Sequence, residues 1–401
     1  MRLLNPVGAA LILCFLMRFY GKRIDRQSPF SKLTVLFVLS VILSPILSSG
    51  YIHGAIDSFW AMLPLLTLTI AGVESIRSWE KLRLVLTVLI SCTILASVNS
   101  ILQMSRGVGF YGIMPIQESY GVRVQAFGIF NNPNNLALLH AMIIPLLLGA
   151  LLWPGLMPRV LTLPLLIINL VSLYETRSRG GQMAAMAGLF AFVLTTGRGS
   201  KKLFWGNALC ILFLIMILPH IQRKSIDTHH GSERGRMEAW SFGLSTFKKK
   251  PFAGLGYGMW REHWKLDTHS SYVLSFAETG LVGFYFFIGM LFLGIKDSWR
   301  LGGLKREPSD PGEFVWYINL GHCLFAALIV YLVASLFQTR TYYLPLYLYL
   351  TMIAAITNLI RVNHEADQYF YSLEHDWMKT GILAAESIAG IYLFTRTLWR
   401  W

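Results

Sequence analysis

Four polar segments of this sequence have residue types and spacing that suit the binding of a phosphate beside a sugar. Arginine offers a planar fork of N–H donors that matches phosphate oxygens, and asparagine amides form hydrogen bonds with hydroxyl groups. A histidine near neutral pH accepts a proton from a hydroxyl group. The segments are GVRVQAFGIFNNPNN at 121–135, ETRSRGG at 175–181, GSERGRMEAW at 231–240 and DTHSSY at 267–272.

The first segment predicts the start of a helix. Pro133 suits the first helical position, and Asn132 suits the capping position before it, so a cap and a turn explain both residues structurally. A cap leaves Arg123 and the two following amides, Asn134 and Asn135, unexplained. We therefore expect these residues, together with Asn132, to contact a diphosphate or sugar hydroxyl groups as well.

The second segment predicts a tight turn between two apolar helices. Arg177 and Arg179 suit a phosphate clamp, and the glycines after them let the backbone approach a ligand closely. We expect the backbone amides of Gly180, Gly181 and Gln182 to point at the same anion. The structural alternative is that both arginines extend to the membrane interface.

The third and fourth segments flank a glycine-rich stretch. The third predicts an amphipathic helix over about 236–247, with Arg234 and Arg236 near its start facing a phosphate on a lipid. In the fourth, His269 precedes an apolar run and is a candidate base, although a lone histidine is more often structural. Glu278 lies within that run, as a ligand-binding group or as a buried partner of an arginine.

The elements that carry these segments are predicted to be membrane spans. The chain has 401 residues, of which 54% are hydrophobic and 14% charged, with a mean hydropathy of +0.52. Soluble domains carry about 25% charged residues. The sequence thus predicts an all-α, polytopic membrane protein with about 11–12 transmembrane helices. The spans are expected at about 3–20, 33–50, 55–72, 82–102, 134–153, 160–175, 182–197, 203–220, 270–295, 314–337 and 342–360, with 381–394 as an interfacial helix or a twelfth span.

The distribution of basic residues predicts the orientation of the spans. Lysines and arginines concentrate in alternate short loops, which places those loops in the cytoplasm. This topological role accounts for most of the net charge of +14, so we expect no nucleic-acid partner. The long loop at about 221–269, the four polar segments and Arg340 then lie on the outer face. The first apolar block has the pattern of a span and lacks that of a cleavable signal peptide.

Metal and disulfide chemistry are not indicated by the sequence. The four cysteines lie in apolar runs and form no CxxC pair. Histidines and carboxylates recur around the long loop, but they lack the spacing of a metal motif. We therefore expect no metal and no cofactor. The residues considered were His229, His230, His263, His269, Asp227, Glu262 and Asp267.

The order of these motifs resembles the O-antigen ligase and polymerase family. The likeness covers about residues 120–295, and five motifs in one order are more specific than any one of them. The motifs are Arg123 with Phe127-Gly128-Ile129-Phe130-Asn131-Asn132-Pro133-Asn134, then Ser178-Arg179-Gly180-Gly181, then Gly235-Arg236 with Trp240, then Pro251-Phe252-Ala253-Gly254-Leu255-Gly256, and His269-Ser270-Ser271-Tyr272 with Ala277-Glu278-Thr279-Gly280.

The resemblance implies a GT-C-like helical bundle with a periplasmic helical loop. It implies a glycosyltransferase of the bacterial inner membrane whose active site faces the periplasm. The donor would be a glycan on undecaprenyl diphosphate, and the acceptor would be lipid A–core or another lipid-linked repeat unit. The expected organisation is N-terminal spans (1–120), a core (121–295) that includes the loop at 221–269, C-terminal spans (296–360) and a cytoplasmic or interfacial tail (361–401).

Roles follow for eleven residues. We expect His269 to act on the acceptor hydroxyl group, and Arg179 and Arg236 to stabilise the leaving diphosphate, in an inverting, metal-independent reaction. The residues expected to bind the diphosphate or glycan are Arg123, Asn132, Asn134, Asn135, Arg177, Arg234, Glu278 and Arg340. Two other classes stay open: a transporter or flippase for an anionic lipid-linked solute, and a structural membrane scaffold that would leave the outer arginines unexplained.

Overall fold

A computed structural model of the chain describes residues 28–118, 121–152, 156–196, 231–305, 313–363 and 370–398. The described backbone is almost entirely α-helical, as the sequence predicts. The predicted spans at about 3–20 and 203–220 lie outside the described residues, as does the predicted long loop up to residue 230.

Twelve α-helices and one short hairpin make up the described chain. In chain order they are α1 (Pro29–Ser49), α2 (Ile52–Ser75), α3 (Trp79–Arg106), β1 (Ile116–Glu118), β2 (Gly121–Arg123), α4 (Pro133–Leu151), α5 (Leu156–Glu175), α6 (Arg179–Thr196), α7 (Gly231–Lys249), α8 (Trp260–His263), α9 (Ser271–Gly303), α10 (Phe314–Phe337), α11 (Leu344–Asn363) and α12 (Leu373–Leu398).

Seven of these helices, among the residues that the structure describes, are long and apolar enough to cross a membrane. They are α1, α2, α3, α4, α9, α10 and α11. Each lies at a position where the sequence predicts a span. The chain is therefore a multi-pass membrane protein. Helices α5 and α6 occupy two more of the predicted span positions.

The structure differs from the sequence-based prediction in three places. Helix α9 extends to Gly303 and is interrupted at Gly280, where φ is 64° and ψ is −164°. The β1–β2 hairpin, which pairs Ile116 with Arg123, was not predicted because three-residue strands carry too little periodicity to recognise. The segment around Glu386 is the middle of a 26-residue helix, and not a short element of its own.

The chain divides into two compact units. Unit 1 contains residues 1–78, 230–297 and 335–401. Within it, α2 packs against α1 and α11, and α7 packs against α12. Gly72 of α2 lies against the methyl group of Thr351, where a Cβ atom would overlap it. Small residues at such crossings let membrane helices approach closely.

Unit 2 contains residues 79–229 and 298–334, with α4 at its centre. Helix α4 packs against α5 and α6 and is buried on all sides between Leu136 and Leu147. A polar contact joins α4 to α5: Nδ1 of His140 lies 2.7 Å from Oδ1 of Asn169, and Nε2 lies 2.8 Å from Oγ of Ser172. This contact fixes the helix that leads into the ETRSRGG segment.

Candidate active site

The eleven predicted site residues fall into two sets, each within one compact unit. Unit 2 holds Arg123, Asn132, Asn134, Asn135, Arg177 and Arg179, and unit 1 holds Arg234, Arg236, His269, Glu278 and Arg340. Arg234 lies in the first turn of α7, and its side chain is not among those that the structure describes. The other ten side chains are described below.

Residues 175–181, here called the arginine turn, connect α5 to α6. Helix α5 ends at Glu175, and α6 begins at Arg179 after only three residues. Ser178 caps α6: its Oγ lies 3.4 Å from the amide nitrogen of Gly181, and its carbonyl oxygen accepts from the amide of Gln182 at 2.9 Å. These two amides are thus used within the turn, and the prediction that both point at an anion was wrong.

The side chain of Arg123 ties the β1–β2 hairpin to the arginine turn. Its Nε donates to the carbonyl oxygen of Thr176 at 2.8 Å. Its Nη1 pairs with Oε1 of Glu118 at 2.9 Å, and its Nη2 donates to Oδ1 of Asn134, also at 2.9 Å. The residue is 8% exposed. Arg123 therefore braces the turn, and a contact between this residue and a ligand stays a prediction.

The asparagine segment is a helix cap, as predicted. Pro133 begins α4, and Oδ1 of Asn132 accepts from the amide of Asn134 at 2.8 Å. Asn134 Oδ1 also accepts from Ser178 Oγ at 2.8 Å, so this amide bridges α4 and the arginine turn. Nδ2 of Asn135 donates to the carbonyl oxygen of Ile129 at 2.7 Å. The first turn of α4 therefore forms one side of the arginine turn.

Two arginines of the turn have distinct surroundings. Arg177 adopts a left-handed backbone conformation with φ at 49°, and its guanidinium lies over Gly121, where any side chain would overlap it. Arg179 stands at the first position of α6 and is half-buried. Its Nη2 atom is buried and has no hydrogen-bond partner among the described residues. Buried donors in folded proteins are nearly always hydrogen-bonded, so this atom is a candidate to bind an acceptor on a ligand.

In unit 1, His269 lies in the connection before α9. Its φ is 49°, a left-handed conformation that few non-glycine residues adopt. The neighbouring Thr268 is fully buried; its carbonyl oxygen accepts from Nε1 of Trp240 at 2.9 Å, and its Oγ1 lies 2.9 Å from Oγ1 of Thr339. The connection is thus fixed both to α7 and to the segment after α10, and the backbone of His269 is held from two sides.

Ser271 holds the segment that carries Arg340. Its Oγ donates to the carbonyl oxygen of Gln338 at 2.7 Å and accepts from the amide of Arg340 at 2.7 Å. Its carbonyl oxygen accepts from Oγ1 of Thr341 at 2.8 Å. Arg340 Nη1 donates to the carbonyl oxygen of Thr339 at 2.6 Å. The start of α9 and the segment 338–341 therefore form one hydrogen-bonded structure.

The charges around His269 are mostly positive. Partial burial lowers the pKa of His269 below its ordinary value, and the positive charge of Arg236 lowers it further. The carboxylate of Asp267 opposes this effect, and Arg340 adds to it. The imidazole is therefore neutral at neutral pH and able to accept a proton. We call Arg236, His269 and Arg340 the histidine set.

Glu278 contacts a glycine-rich loop of its own unit. The carboxylate is 3% exposed; Oε1 accepts from the amide of Gly258 at 3.0 Å, and Oε2 accepts from the hydroxyl group of Tyr342 at 3.2 Å. We call residues 251–258 the glycine loop. Burial, and secondly the charge of Glu278, raise the pKa of Tyr342 well above its ordinary value, so this hydroxyl group stays a donor.

The interruption of α9 at Gly280 receives the glycine loop. The amide of Leu281 donates to the carbonyl oxygen of Pro251 at 2.7 Å, and the amide of Gly256 donates to the carbonyl oxygen of Glu278 at 2.9 Å. A Cβ atom at Gly280 would overlap the backbone of Phe252. A residue with a side chain would also be strained there, because φ is 64°.

Comparison with known protein families gives one match. Residues 164–288 match the family model described as O-antigen ligase. This segment resembles an O-antigen ligase domain, and it supports assignment of the chain to the O-antigen ligase and polymerase family. No curated protein and no solved structure matches the chain.

The O-antigen ligase segment runs from α5 into α9. It contains the arginine turn, the glycine loop, Arg236, His269 and Glu278, and it leaves out Arg123, the asparagine segment and Arg340. The family implies an enzyme of the glycosyltransferase type, with O-antigen ligase or polymerase function and lipid-linked glycans as substrates. These statements agree with the resemblance read from the motifs.

The O-antigen ligase segment and its surroundings show no metal-binding group among the described residues. No three His, Cys, Asp or Glu side chains come together in the part of the chain that the structure describes. His263 is exposed, with Nδ1 3.0 Å from the carbonyl oxygen of Met259. His229, His230 and Asp227 lie outside the described residues.

Several residues that contact the candidate site residues were not singled out from the sequence. Ser271 and Thr339 position the histidine set, and Tyr342 and Gly258 contact Glu278. Their partners lie up to 72 positions away in the chain, as for Thr339 and Asp267, so local patterns do not show them. The doubled serine after His269 and the spacing of the glycines were the only local signals.

Proposed function

We propose that the chain transfers a glycan from an undecaprenyl-diphosphate carrier to an acceptor hydroxyl group on the periplasmic face of the inner membrane. The acceptor is lipid A–core in a ligase and a second lipid-linked repeat unit in a polymerase, and both reactions use the same donor chemistry. The O-antigen ligase match supports the reaction class. The histidine set supports the chemistry of the step.

The observation that carries the proposal is that His269 is half-buried among positive charges that lower its pKa. His269 is fixed in a left-handed conformation, and Arg236 and Arg340 both act on its pKa. A neutral histidine accepts a proton, and guanidinium groups bind phosphate oxygens. A base and a cationic anion-binding group therefore lie within interaction range of each other in unit 1.

In the proposed step, the acceptor oxygen attacks the anomeric carbon from the face opposite the leaving group. The new C–O bond forms as the bond between the anomeric carbon and the diphosphate oxygen breaks, so the anomeric configuration inverts. The hydroxyl proton passes to Nδ1 or Nε2 of His269. The electron pair of the broken bond stays on the diphosphate, whose charge Arg236 and Arg340 stabilise.

In unit 2, we propose that Arg179 binds a phosphate oxygen. Its Nη2 atom is buried without a hydrogen-bond partner among the described residues. A buried donor left without an acceptor costs roughly 1–3 kcal/mol, and more when it is charged. A phosphate oxygen at this atom would remove that cost. Arg123, in contrast, already donates to Thr176, Glu118 and Asn134 from three of its nitrogens.

The test is a transfer assay with the purified full-length protein in liposomes and a glycan on undecaprenyl diphosphate as donor. Lipid A–core and unextended lipid-linked repeat units are supplied separately as acceptors. We expect a new glycosidic bond with one of them, which also distinguishes ligase from polymerase. A labelled lipid that crosses the bilayer without any new bond would instead indicate a flippase.

The variant Arg179→Ala tests the proposed role of Arg179 in unit 2. Loss of one preorganised donor to a developing negative charge typically lowers kcat about 100- to 1000-fold. The control is Arg106→Ala, because Arg106 is an exposed arginine of the same unit at the end of α3. Equal rates for both variants at equal protein levels would remove Arg179 from the site.

A further inference from the structure

An exposed apolar surface lies on the connection between α3 and α4. Tyr111 is 89% exposed and Met114 is 68% exposed. The ring of Phe127 makes an edge contact with the ring of Tyr111 at a centroid distance of 5.9 Å. We call Val108, Tyr111, Met114, Phe127 and Ile129 the Tyr111 surface; all five are exposed.

The backbone of Tyr111 is strained. Its φ of 56° and ψ of 23° are left-handed, a conformation that is rare for a bulky residue. Only Arg177 and His269 share a positive φ among the described non-glycine residues, and both were singled out as candidate site residues from the sequence. Such strain persists where surrounding structure enforces it, and it concentrates at functional positions.

Buried polar side chains of α3 enforce this conformation. Oδ1 of Asn99 accepts from the amide of Phe110 at 2.7 Å, and its Nδ2 donates to the carbonyl oxygen of Gln125 at 2.9 Å. The turn closes on itself through a bond from the amide of Gly109 to the carbonyl oxygen of Ile113 at 2.8 Å. Tyr111 is therefore held outward by a fixed turn.

The Tyr111 surface follows a helix, α3, that has exposed apolar residues along its length. That helix is a candidate membrane span, and Leu84, Val88 and Leu95 are exposed along it, as are Ile101 and Met104 near its end. Arg106 in the last turn of α3 is exposed, and an arginine at the end of a span typically extends its charge to the headgroups. The surface follows directly after this arginine in the chain.

We propose that the Tyr111 surface lies in the bilayer, at the boundary between headgroups and acyl chains of the leaflet at the C-terminal end of α3. Tyrosine favours this depth because its ring is apolar and its hydroxyl group stays hydrated. Exposed apolar patches of this kind are unfavourable in water. The partner is therefore the phospholipid surface, and Met114 and Phe127 contact the upper acyl chains.

Hydrogen bonds connect the Tyr111 surface to the arginine turn. Met114 accepts through its carbonyl oxygen from Nε2 of Gln125 at 2.9 Å, and Ile129 accepts from Nδ2 of Asn135 at 2.7 Å. Asn134, the residue before Asn135, bonds to Ser178. An anchored Tyr111 surface therefore holds the arginine turn near headgroup depth. If the proposed function holds, this is where the phosphates of a lipid-linked donor lie.

Site-directed spin labelling in liposomes tests the depth of the surface directly. In a background with Cys14, Cys92, Cys210 and Cys323 replaced by serine, a nitroxide is attached at Met114→Cys or, as the polar reference, at the exposed position Lys265→Cys. The second reference is a separate protein in which only Cys92, which is exposed on α3, is kept and labelled. Collision rates with oxygen and with a water-soluble nickel chelate measure depth.

We expect the label at position 114 to collide with oxygen and to be less accessible to the nickel chelate than the label on Lys265→Cys, but more accessible than the label on Cys92, which lies in the middle of α3. Adding Tyr111→Ser should raise its exposure to the chelate. Chelate exposure equal to that at position 265 would overturn the proposal. Protection from both reagents would also overturn it, because protein would then cover the surface. The readout needs no transfer activity, so it is independent of the proposed function.

Discussion

The backbone amide of Gly258 donates a hydrogen bond to Oε1 of Glu278 at 3.0 Å. The glycine loop and the interrupted helix α9 are therefore joined at a carboxylate that is 3% exposed. Its other oxygen accepts from Tyr342, two residues after Arg340 in the chain. These contacts make Glu278 a positioning residue for the loop.

We predict that Glu278→Leu destabilises the protein by roughly 2–4 kcal/mol. The substitution leaves the amide of Gly258 and the hydroxyl group of Tyr342 without their acceptor, and each buried unsatisfied group costs about 1–3 kcal/mol. Glu278→Gln keeps one acceptor oxygen and should recover part of this loss. Thermal unfolding in lipid measures both, with the exposed Glu262→Gln as control. A Glu278→Leu protein as stable as the control would contradict the prediction.

The pH dependence of transfer should report on His269. The neutral imidazole is the active form, so the rate should rise with pH and level off above its pKa. That pKa lies below the ordinary value because of burial and the charge of Arg236. Arg236→Gln removes a positive charge that disfavours the imidazolium, so the midpoint of the profile should move to higher pH. The measurement is the profile of kcat against pH for the wild-type protein and for Arg236→Gln. An unchanged midpoint would show that the charge of Arg236 does not act on His269.

Arg123→Lys should destabilise unit 2, by about 2–3 kcal/mol. Hydrogen bonds to charged groups contribute roughly 1.5–3 kcal/mol each, and a lysine ammonium cannot reach Thr176, Glu118 and Asn134 at once. Thermal unfolding compares this variant with Arg106→Lys, whose side chain is exposed. If both variants unfold at the wild-type temperature, Arg123 does not act as a brace.

A buried ion pair near the C-terminus provides a prediction within unit 1. Lys296 Nζ lies 2.6 Å from Oδ2 of Asp376, whose side chain is 1% exposed. Breaking a buried pair typically costs about 3–5 kcal/mol, and the cost here should lie near the lower end of that range because Lys379 stays 3.5 Å from the other carboxylate oxygen. Lys296→Met should therefore lower the unfolding temperature markedly. Lys379→Met is the matched control, because Lys379 contacts the same carboxylate but is 65% exposed. Equal losses of unfolding temperature in the two variants would contradict the prediction that Lys296 contributes more stability than Lys379.

The sequence predicted the helices well because each long apolar run must form its own backbone hydrogen bonds in a membrane. Pro133 and Asn132 predicted the start of α4 because capping is a local effect. The partners of Arg123 and Glu278 were not predictable. They depend on contacts such as that of Arg123 with Thr176, which are 53 positions apart in the chain. The periodicity of the sequence reports on local structure and does not predict such contacts.

The sequence-based prediction for the backbone amides of the arginine turn was also wrong. Two amides expected to bind an anion cap α6 through Ser178, because helix capping competes for the same N–H groups. The strain at Tyr111 and His269 has no signature in the residue types themselves, since the neighbouring residues Phe110 and Thr268 are bonded to other elements of the fold.

The most direct test of the account is the transfer rate of His269→Ala beside that of His263→Ala. Both histidines lie between the glycine loop and α9, but His263 is exposed, whereas His269 is half-buried beside Arg236. Loss of a general base typically lowers kcat about 100- to 10,000-fold. We predict that loss for His269→Ala and wild-type transfer for His263→Ala, with both proteins at normal levels. Wild-type transfer by His269→Ala would contradict the central claim.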